Sequence, residues 1–75
     1  MPAYYAPAIV TPAIPEGTTA IDPDTGEEFA VASRIECTGT DPIPGGTYVY
    51  EESESRFLVT TPEPLSPVPD GWMEA

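Results

Sequence analysis

The stretch TYVYEESESRFLVTT, residues 47–61, determines the fold that we expect. Its two ends, 47–51 and 56–61, are rich in aromatic and β-branched residues, and the polar sequence Glu52-Ser53-Glu54-Ser55 separates them. This order is typical of a β-hairpin. Because side chains alternate between the two faces of a strand, each strand has an apolar face, and we expect these faces to pair. They carry Tyr48 and Tyr50 in the first strand, and Phe57, Val59 and Thr61 in the second.

A second hairpin is predicted upstream, over residues 17–37. The β-prone segment 18–21 is followed by the sequence Asp22-Pro23-Asp24-Thr25-Gly26-Glu27, whose residue types favour a turn. Residues 27–37 then alternate between apolar and polar side chains, which predicts a half-buried strand. Its apolar face would carry Phe29, Val31, Ser33, Ile35 and Cys37. Two prolines and three glycines make residues 38–46 a loop.

Proline-rich segments flank the two hairpins. Residues 1–16 carry prolines at positions 2, 7, 12 and 15, and residues 62–75 carry them at 62, 64, 67 and 69. Proline has no backbone N–H and disfavours the helical conformation of the residue before it. We therefore expect a mostly β protein: a small antiparallel module of two hairpins, 17–61, between an extended N-terminal arm, 1–16, and an extended C-terminal arm, 62–75.

The composition excludes most catalytic chemistry. The chain has no His, Lys, Asn or Gln and only one Cys. Nucleophilic triads need a His or Lys base, and zinc sites need Cys/His clusters, so we expect no enzyme activity, cofactor or metal. The turn that begins at Asp22 does not match a helix–loop–helix calcium loop, because the positions that require Gly and the final Glu hold Glu27 and Ser33.

The charge of the chain excludes two kinds of partner. The net charge is −11, and Arg34 and Arg56 are the only basic residues. Binding to phosphates depends on Lys and Arg, so neither nucleic acid nor an anionic membrane is an expected ligand. The N-terminus also lacks the basic region of a signal peptide, so we do not expect secretion by that route.

The arms carry most of the residues that we expect to bind a protein partner. The N-terminal arm is too apolar for a typical solvated tail, although a loose terminus is the alternative. Trp72, in the C-terminal arm, would either anchor an interface or fold back over the chain's own sheet. Arg34 and Arg56 would form either local ion pairs or cross-chain anchors. The candidate partner-binding residues are Tyr4, Tyr5, Ile9, Val10, Ile14, Arg34, Arg56 and Trp72.

Two further features allow alternatives. The acidic sequence from Glu51 to Ser55 is interpreted as a solvated hairpin tip, with a phosphoacceptor site as the alternative. Cys37 is interpreted as a small buried apolar residue, with an interchain disulfide as the alternative.

The layout resembles the small accessory proteins of tailed-phage particles: decoration proteins, cement proteins and proteins that line the connector. The resemblance rests on the arm MPAYYAPAIVTPAIP, the turn IDPDTGEE and the tail TPEPLSPVPDGW. It implies a structural, non-enzymatic virion protein that is made in the host cytoplasm. Many copies of this protein would bind to capsid or tail subunits through their arms. A different hypothesis is an acidic DNA mimic that inhibits a nucleic-acid-binding protein. A third is a proline-rich adaptor for a signalling domain.

Overall fold

A computed structural model describes residues 2–8, 14–35, 37 and 43–75 of the chain. Within these ranges the chain forms one sheet of six strands and one short helix, which confirms the prediction of a mostly β fold. The strands lie in the order β3-β2-β4-β5-β1-β6, and neighbours are antiparallel except β2 and β4. The elements are β1 (Ala3–Pro7), β2 (Thr19–Ile21), β3 (Glu28–Ala30), α1 (Val31–Arg34), β4 (Thr47–Glu51), β5 (Arg56–Thr60) and β6 (Met73–Glu74).

The β4–β5 hairpin lies where the sequence predicts it. Tyr48 pairs with Val59 and Tyr50 with Phe57, and the rings of Tyr50 and Phe57 are 5.2 Å apart. The connection consists of a 3-10 turn, Glu52–Glu54, followed by Ser55 in the left-handed region at φ 51°. The aromatic and aliphatic faces therefore pair as expected.

The turn between β2 and β3 also agrees with the sequence. Oδ1 of Asp22 accepts the backbone N–H of Asp24 at 2.9 Å, and the carbonyl of Asp22 accepts the N–H of Gly26 at 2.7 Å. Gly26 has φ +75°, a conformation that glycine adopts without steric cost. The local chemistry of this segment is therefore sufficient to place the turn.

The predicted strand 27–37 is wrong beyond Ala30. The last ladder bond joins the N–H of Val31 to the carbonyl of Thr18 at 2.8 Å, and the chain before Thr18 turns away at Gly17, where φ is +89°. Without a pairing strand, the chain forms one turn of helix, α1, closed by the N–H of Ile35 and the carbonyl of Val31. The alternation of apolar and polar residues predicts a strand, but it does not show where the pairing strand ends.

The structure differs from the prediction of a separate N-terminal arm, because residues 3–7 form β1 inside the sheet. All five residues pair with β5, from Ala3 opposite Thr60 to Pro7 opposite Arg56. The N–H of Ala8 donates to the carbonyl of Ser55, on the β5 side of β1. Backbone N–H groups of consecutive residues point to opposite edges of a strand, so the nitrogen of Pro7 points to the β6 side. There β6 pairs only with Tyr4 and Tyr5, and the missing N–H of Pro7 leaves no ladder bond unmade.

One face of the sheet, the inner face, carries the core. Its cover is made by irregular segments, including the proline-rich residues 62–72. The hydroxyl of Tyr4 accepts the N–H of Leu65 at 2.9 Å, and that of Tyr48 accepts the N–H of Ile43 at 3.1 Å, so two tyrosines attach the covering segments to the sheet. The buried apolar residues are Tyr4, Ala6, Ala8, Ile14, Ala20, Val31, Cys37, Tyr48, Tyr50, Phe57, Val59 and Trp72.

The described parts of both arms thus belong to the compact body. The Cα radius of gyration is 11.1 Å, close to the roughly 11 Å expected for a compact chain of this length. Within the described ranges, no helix has the length and apolar character needed to cross a membrane.

Candidate protein-binding surface

The other face of the sheet, the outer face, carries a row of apolar side chains that crosses five strands. The register places Ile21 opposite Val49, Val49 opposite Leu58, Leu58 opposite Tyr5, and Tyr5 opposite Met73. At roughly 4.8 Å between strands, this outer row is about 19 Å long. Ile21 is 40% exposed and Met73 is 59% exposed, while the three central residues are half-buried.

Pro7, Arg56 and Glu51 lie opposite one another on neighbouring strands and form a second row beside the outer row. The guanidinium of Arg56 lies 3.7 Å from the centre of the Tyr5 ring, close enough for a cation–π contact. Its Nη2 atom is 3.5 Å from Oε2 of Glu51, and its Nε has no hydrogen-bond partner in the part of the chain that the structure describes. The guanidinium is therefore held by two contacts, a cation–π contact with Tyr5 and a long ion pair with Glu51.

A shallow hollow with an acidic rim lies on the β4–β5 part of the outer face. Val49 and Leu58 line it, together with Asp24, Glu51, Glu52 and residues beside them in the turn and the hairpin loop. A second hollow, lined by Tyr5, Pro7, Arg56, Met73 and neighbouring residues, lies on the β1–β6 part. Both hollows thus have apolar lining residues, and the first has more carboxylates, from Asp24, Glu51 and Glu52, than the second, which has Glu54 beside Arg56 in its lining.

Arg34 is used within the chain, as the local ion-pair interpretation requires. Its Nη1 atom is 2.6 Å from Oδ2 of Asp22, and its Nη2 atom is 3.4 Å from Oε2 of Glu52. The guanidinium also lies 5.0 Å from the centre of the Phe29 ring. The hydrogen bond from Arg34, with a smaller contribution from the N–H of Asp24, lowers the pKa of Asp22 below its ordinary value of 3.8. The same hydrogen bond raises the pKa of Arg34.

Three of the predicted partner-binding residues lie in the chain's own core. Tyr4 is 2% exposed, Ile14 is fully buried, and Trp72 is 7% exposed. The Trp72 ring lies 6.5 Å from that of Tyr4, which is the intramolecular arrangement that the sequence also allowed. The physical reason is that the inner face of the sheet needs an apolar cover, which these residues supply.

The other predicted residues have different positions. Tyr5 and Arg56 lie together on the outer face, whereas Arg34 lies beside the β2–β3 turn. Ile9 and Val10 fall outside the described residues. Among the predicted residues that the structure describes, only Tyr5 and Arg56 lie together on one surface.

Cys37 is a buried free thiol in this chain. Its Sγ donates to the carbonyl of Ala8 at 2.6 Å, and burial raises the pKa of the thiol above its ordinary value of 9.0. A buried neutral thiol is a poor nucleophile. This placement agrees with the interpretation of Cys37 as a small core residue.

Sequence reasoning missed Ile21, Val49, Leu58 and Met73. The signal was present in β4 and β5, because Val49 and Leu58 are apolar residues at the positions that alternation assigns to solvent. A strand that is apolar on both faces is either covered on both faces or exposes an apolar surface. The contributions of Ile21 and Met73 follow only from the strand order.

Among the described residues, no group of three or more His, Cys, Asp or Glu side chains is arranged to hold a metal ion. The sequence matches no family model, and no curated protein or solved structure matches it.

Proposed function

We propose that the chain is a structural, non-enzymatic protein that binds, in many copies, to protein subunits of a larger assembly through its outer sheet face. The observation that supports this proposal is the outer row, which runs from Ile21 to Met73. Monomeric proteins rarely expose a contiguous apolar patch larger than roughly a few hundred Å², and patches of that size mark interaction sites. Removing apolar surface from water favours association by roughly 25 cal/mol per Å².

The assembly that we propose is a tailed-phage particle. The support is the resemblance in composition and layout: a short, acidic, proline-rich β chain. The arms would not act as the staples of that resemblance, because their described residues are used inside the fold, β1 in the sheet and Trp72 in the core. A rigid sheet face loses less conformational entropy on binding than an extended arm does, which favours the face as the contact surface.

The DNA-mimic hypothesis is less favoured by this geometry. A mimic needs carboxylates where phosphates would lie, whereas the centre of the outer face is apolar. The two hypotheses also differ in what weakens binding. Binding by an apolar face is weakened when apolar side chains are made polar, while binding by a mimic is weakened when carboxylates are removed.

The experiment is gradient fractionation of assembled particles that contain the wild-type chain or a variant. The double variant Ile21→Thr with Met73→Gln makes both exposed ends of the outer row polar without changing the charge. We expect this variant to be lost from the particle fraction, because each end would lose apolar contact with the partner. Ala32→Ser, an exposed substitution in α1, is the control and should be retained.

Two results would contradict the proposal. The first is a wild-type chain that never migrates with a larger particle. The second is a double variant that is retained as well as the control although both proteins are folded.

A further inference from the structure

We infer that the outer face accepts a cationic protein segment, with a Lys or Arg side chain in the acidic hollow and an apolar side chain in the hollow beside Met73. This inference rests on the proposed function, since it names the chemistry of the partner that the outer face binds.

The acidic hollow has the shape and lining that suit a long cationic side chain. Val49 and Leu58 provide apolar surface, and Asp24, Glu51 and Glu52 stand at the rim. Lys and Arg bury their aliphatic stems along apolar surface while the charged end reaches a polar rim. A purely aliphatic side chain would leave Asp24 without a cation, and Glu51 and Glu52 with only long ion pairs to arginines.

The charges already present do not neutralise this end of the face. Arg34 lies closest to Asp22, and its distance to Glu52 is longer, 3.4 Å. Arg56 is 3.5 Å from Glu51 and lies over Tyr5. The two guanidinium groups thus contact three carboxylates, those of Asp22, Glu52 and Glu51, and Asp24 has no ion pair with an arginine among the described residues, so carboxylates remain in excess.

The second hollow suits an apolar side chain. Its lining consists of Tyr5, Pro7, Gly71 and Met73, together with Ser55 and the oppositely charged Glu54 and Arg56. The two hollows lie about two strand spacings apart, which is roughly 10 Å. The partner segment should therefore present a basic and an apolar side chain at about that separation.

Charge excludes the other obvious occupants of the outer face. A second copy of this chain also carries a charge of −11, so bringing two acidic hollows together would be repulsive. Nucleic acid and anionic lipid are repelled for the same reason. A protein surface with Lys or Arg beside apolar residues is the occupant whose charge complements this face.

The test uses a library of short random peptides as the probe, selected against the full wild-type chain. We expect the selected peptides to combine Lys or Arg with an apolar residue at a recurring spacing, and to bind more weakly as salt rises. Asp24→Asn with Glu52→Gln should weaken their binding by about fivefold. Glu16→Gln with Glu63→Gln changes the net charge equally at exposed sites outside both hollows, and should have a much smaller effect.

The outcomes separate this inference from the proposed function. Selected peptides that lack basic residues, but lose binding in the Ile21→Thr and Met73→Gln variant, would overturn the inference and leave the binding face in place. Peptides whose binding is unchanged by every outer-face variant would overturn both. Equal weakening by the two pairs of carboxylate variants would also overturn the inference, because it would show a general effect of charge.

Discussion

The ring of Trp72 lies 6.5 Å from the ring of Tyr4, at an interplanar angle of 45°. Tyr4 belongs to β1, and Trp72 immediately precedes β6, the strand that pairs with β1. The contact therefore joins the two proline-rich segments on the inner face of the sheet, where both rings are buried.

Trp72→Ala should destabilise the isolated chain by about 3 kcal/mol, because it leaves a cavity under the inner face. Met73→Ala is the matched control, since Met73 is 59% exposed, and it should change the free energy of unfolding by less than about 0.5 kcal/mol. Urea unfolding measures both values. The fluorescence of Trp72 should be blue-shifted in the free chain, and an emission typical of exposed tryptophan would contradict the contact.

Tyr4→Phe should cost about 1 kcal/mol, because the N–H of Leu65 loses the hydroxyl that accepts it at 2.9 Å. Tyr5→Phe makes the same chemical change on the half-exposed outer face and should be nearly neutral. The measurement is the free energy of unfolding of both variants, with amide hydrogen exchange at Leu65. Equal stability of the two variants would show that this hydrogen bond does not hold the proline-rich segment.

Local sequence patterns predicted the parts of the fold that depend on local chemistry. The β4–β5 hairpin and the Asp22–Glu27 turn lie where alternation and turn residues place them. The pairing of β1 with β5 was not predictable in this way, because it joins residues far apart in sequence, and the prolines of 1–16 obscured a short alternating strand. The end of β3 at Ala30 depends on where its partner strand stops.

The candidate surface was predictable only in part, for the same reason. Val49 and Leu58 could have been identified from strands that are apolar on both faces. Tyr5 was identified, but as part of an arm. The continuous row exists only because the strand order brings β2, β4, β5, β1 and β6 side by side. Trp72 was the largest apolar candidate for an interface, and the same size makes it suitable as a core residue.

The ion pair of Asp22 and Arg34 should make stability depend on acid pH. Because the pKa of Asp22 is lower in the folded chain than its ordinary 3.8, the pair stabilises the fold fully above that value. The contribution is lost as pH falls below 3.8 and through the folded pKa. The free-energy difference between wild type and Asp22→Asn should therefore be present at neutral pH and shrink below pH 3.8.

The comparison with a variant is needed because acid also relieves the repulsion within a chain of net charge −11. Glu27→Gln, which removes one negative charge at an exposed position, is the control. Urea unfolding as a function of pH measures both differences. A difference for Asp22→Asn that does not change between neutral pH and strong acid would contradict the role of the ion pair.

Gly26→Ala should destabilise the β2–β3 turn by about 1 kcal/mol. No atom beyond the neighbouring residues lies within 4 Å of an added Cβ, so the cost arises from the left-handed backbone at φ +75°. Gly26→Asn is the matched variant and should cost less, because Asn tolerates this conformation. Equal losses for Ala and Asn, measured by thermal unfolding, would show that backbone conformation is not the cause.

The central claim is that the outer face of the sheet contacts the partner, and oxidation of Met73 in the assembly tests it most directly. Met73 is 59% exposed in the isolated chain, while its neighbour Trp72 is buried in the chain's own core. Hydroxyl-radical footprinting of free and assembled protein, read by mass spectrometry, compares the two residues in one peptide. We predict that Met73 is oxidised readily in the free chain and protected in the assembly, while Trp72 is protected in both. Equal oxidation of Met73 in the free and assembled states would contradict the account.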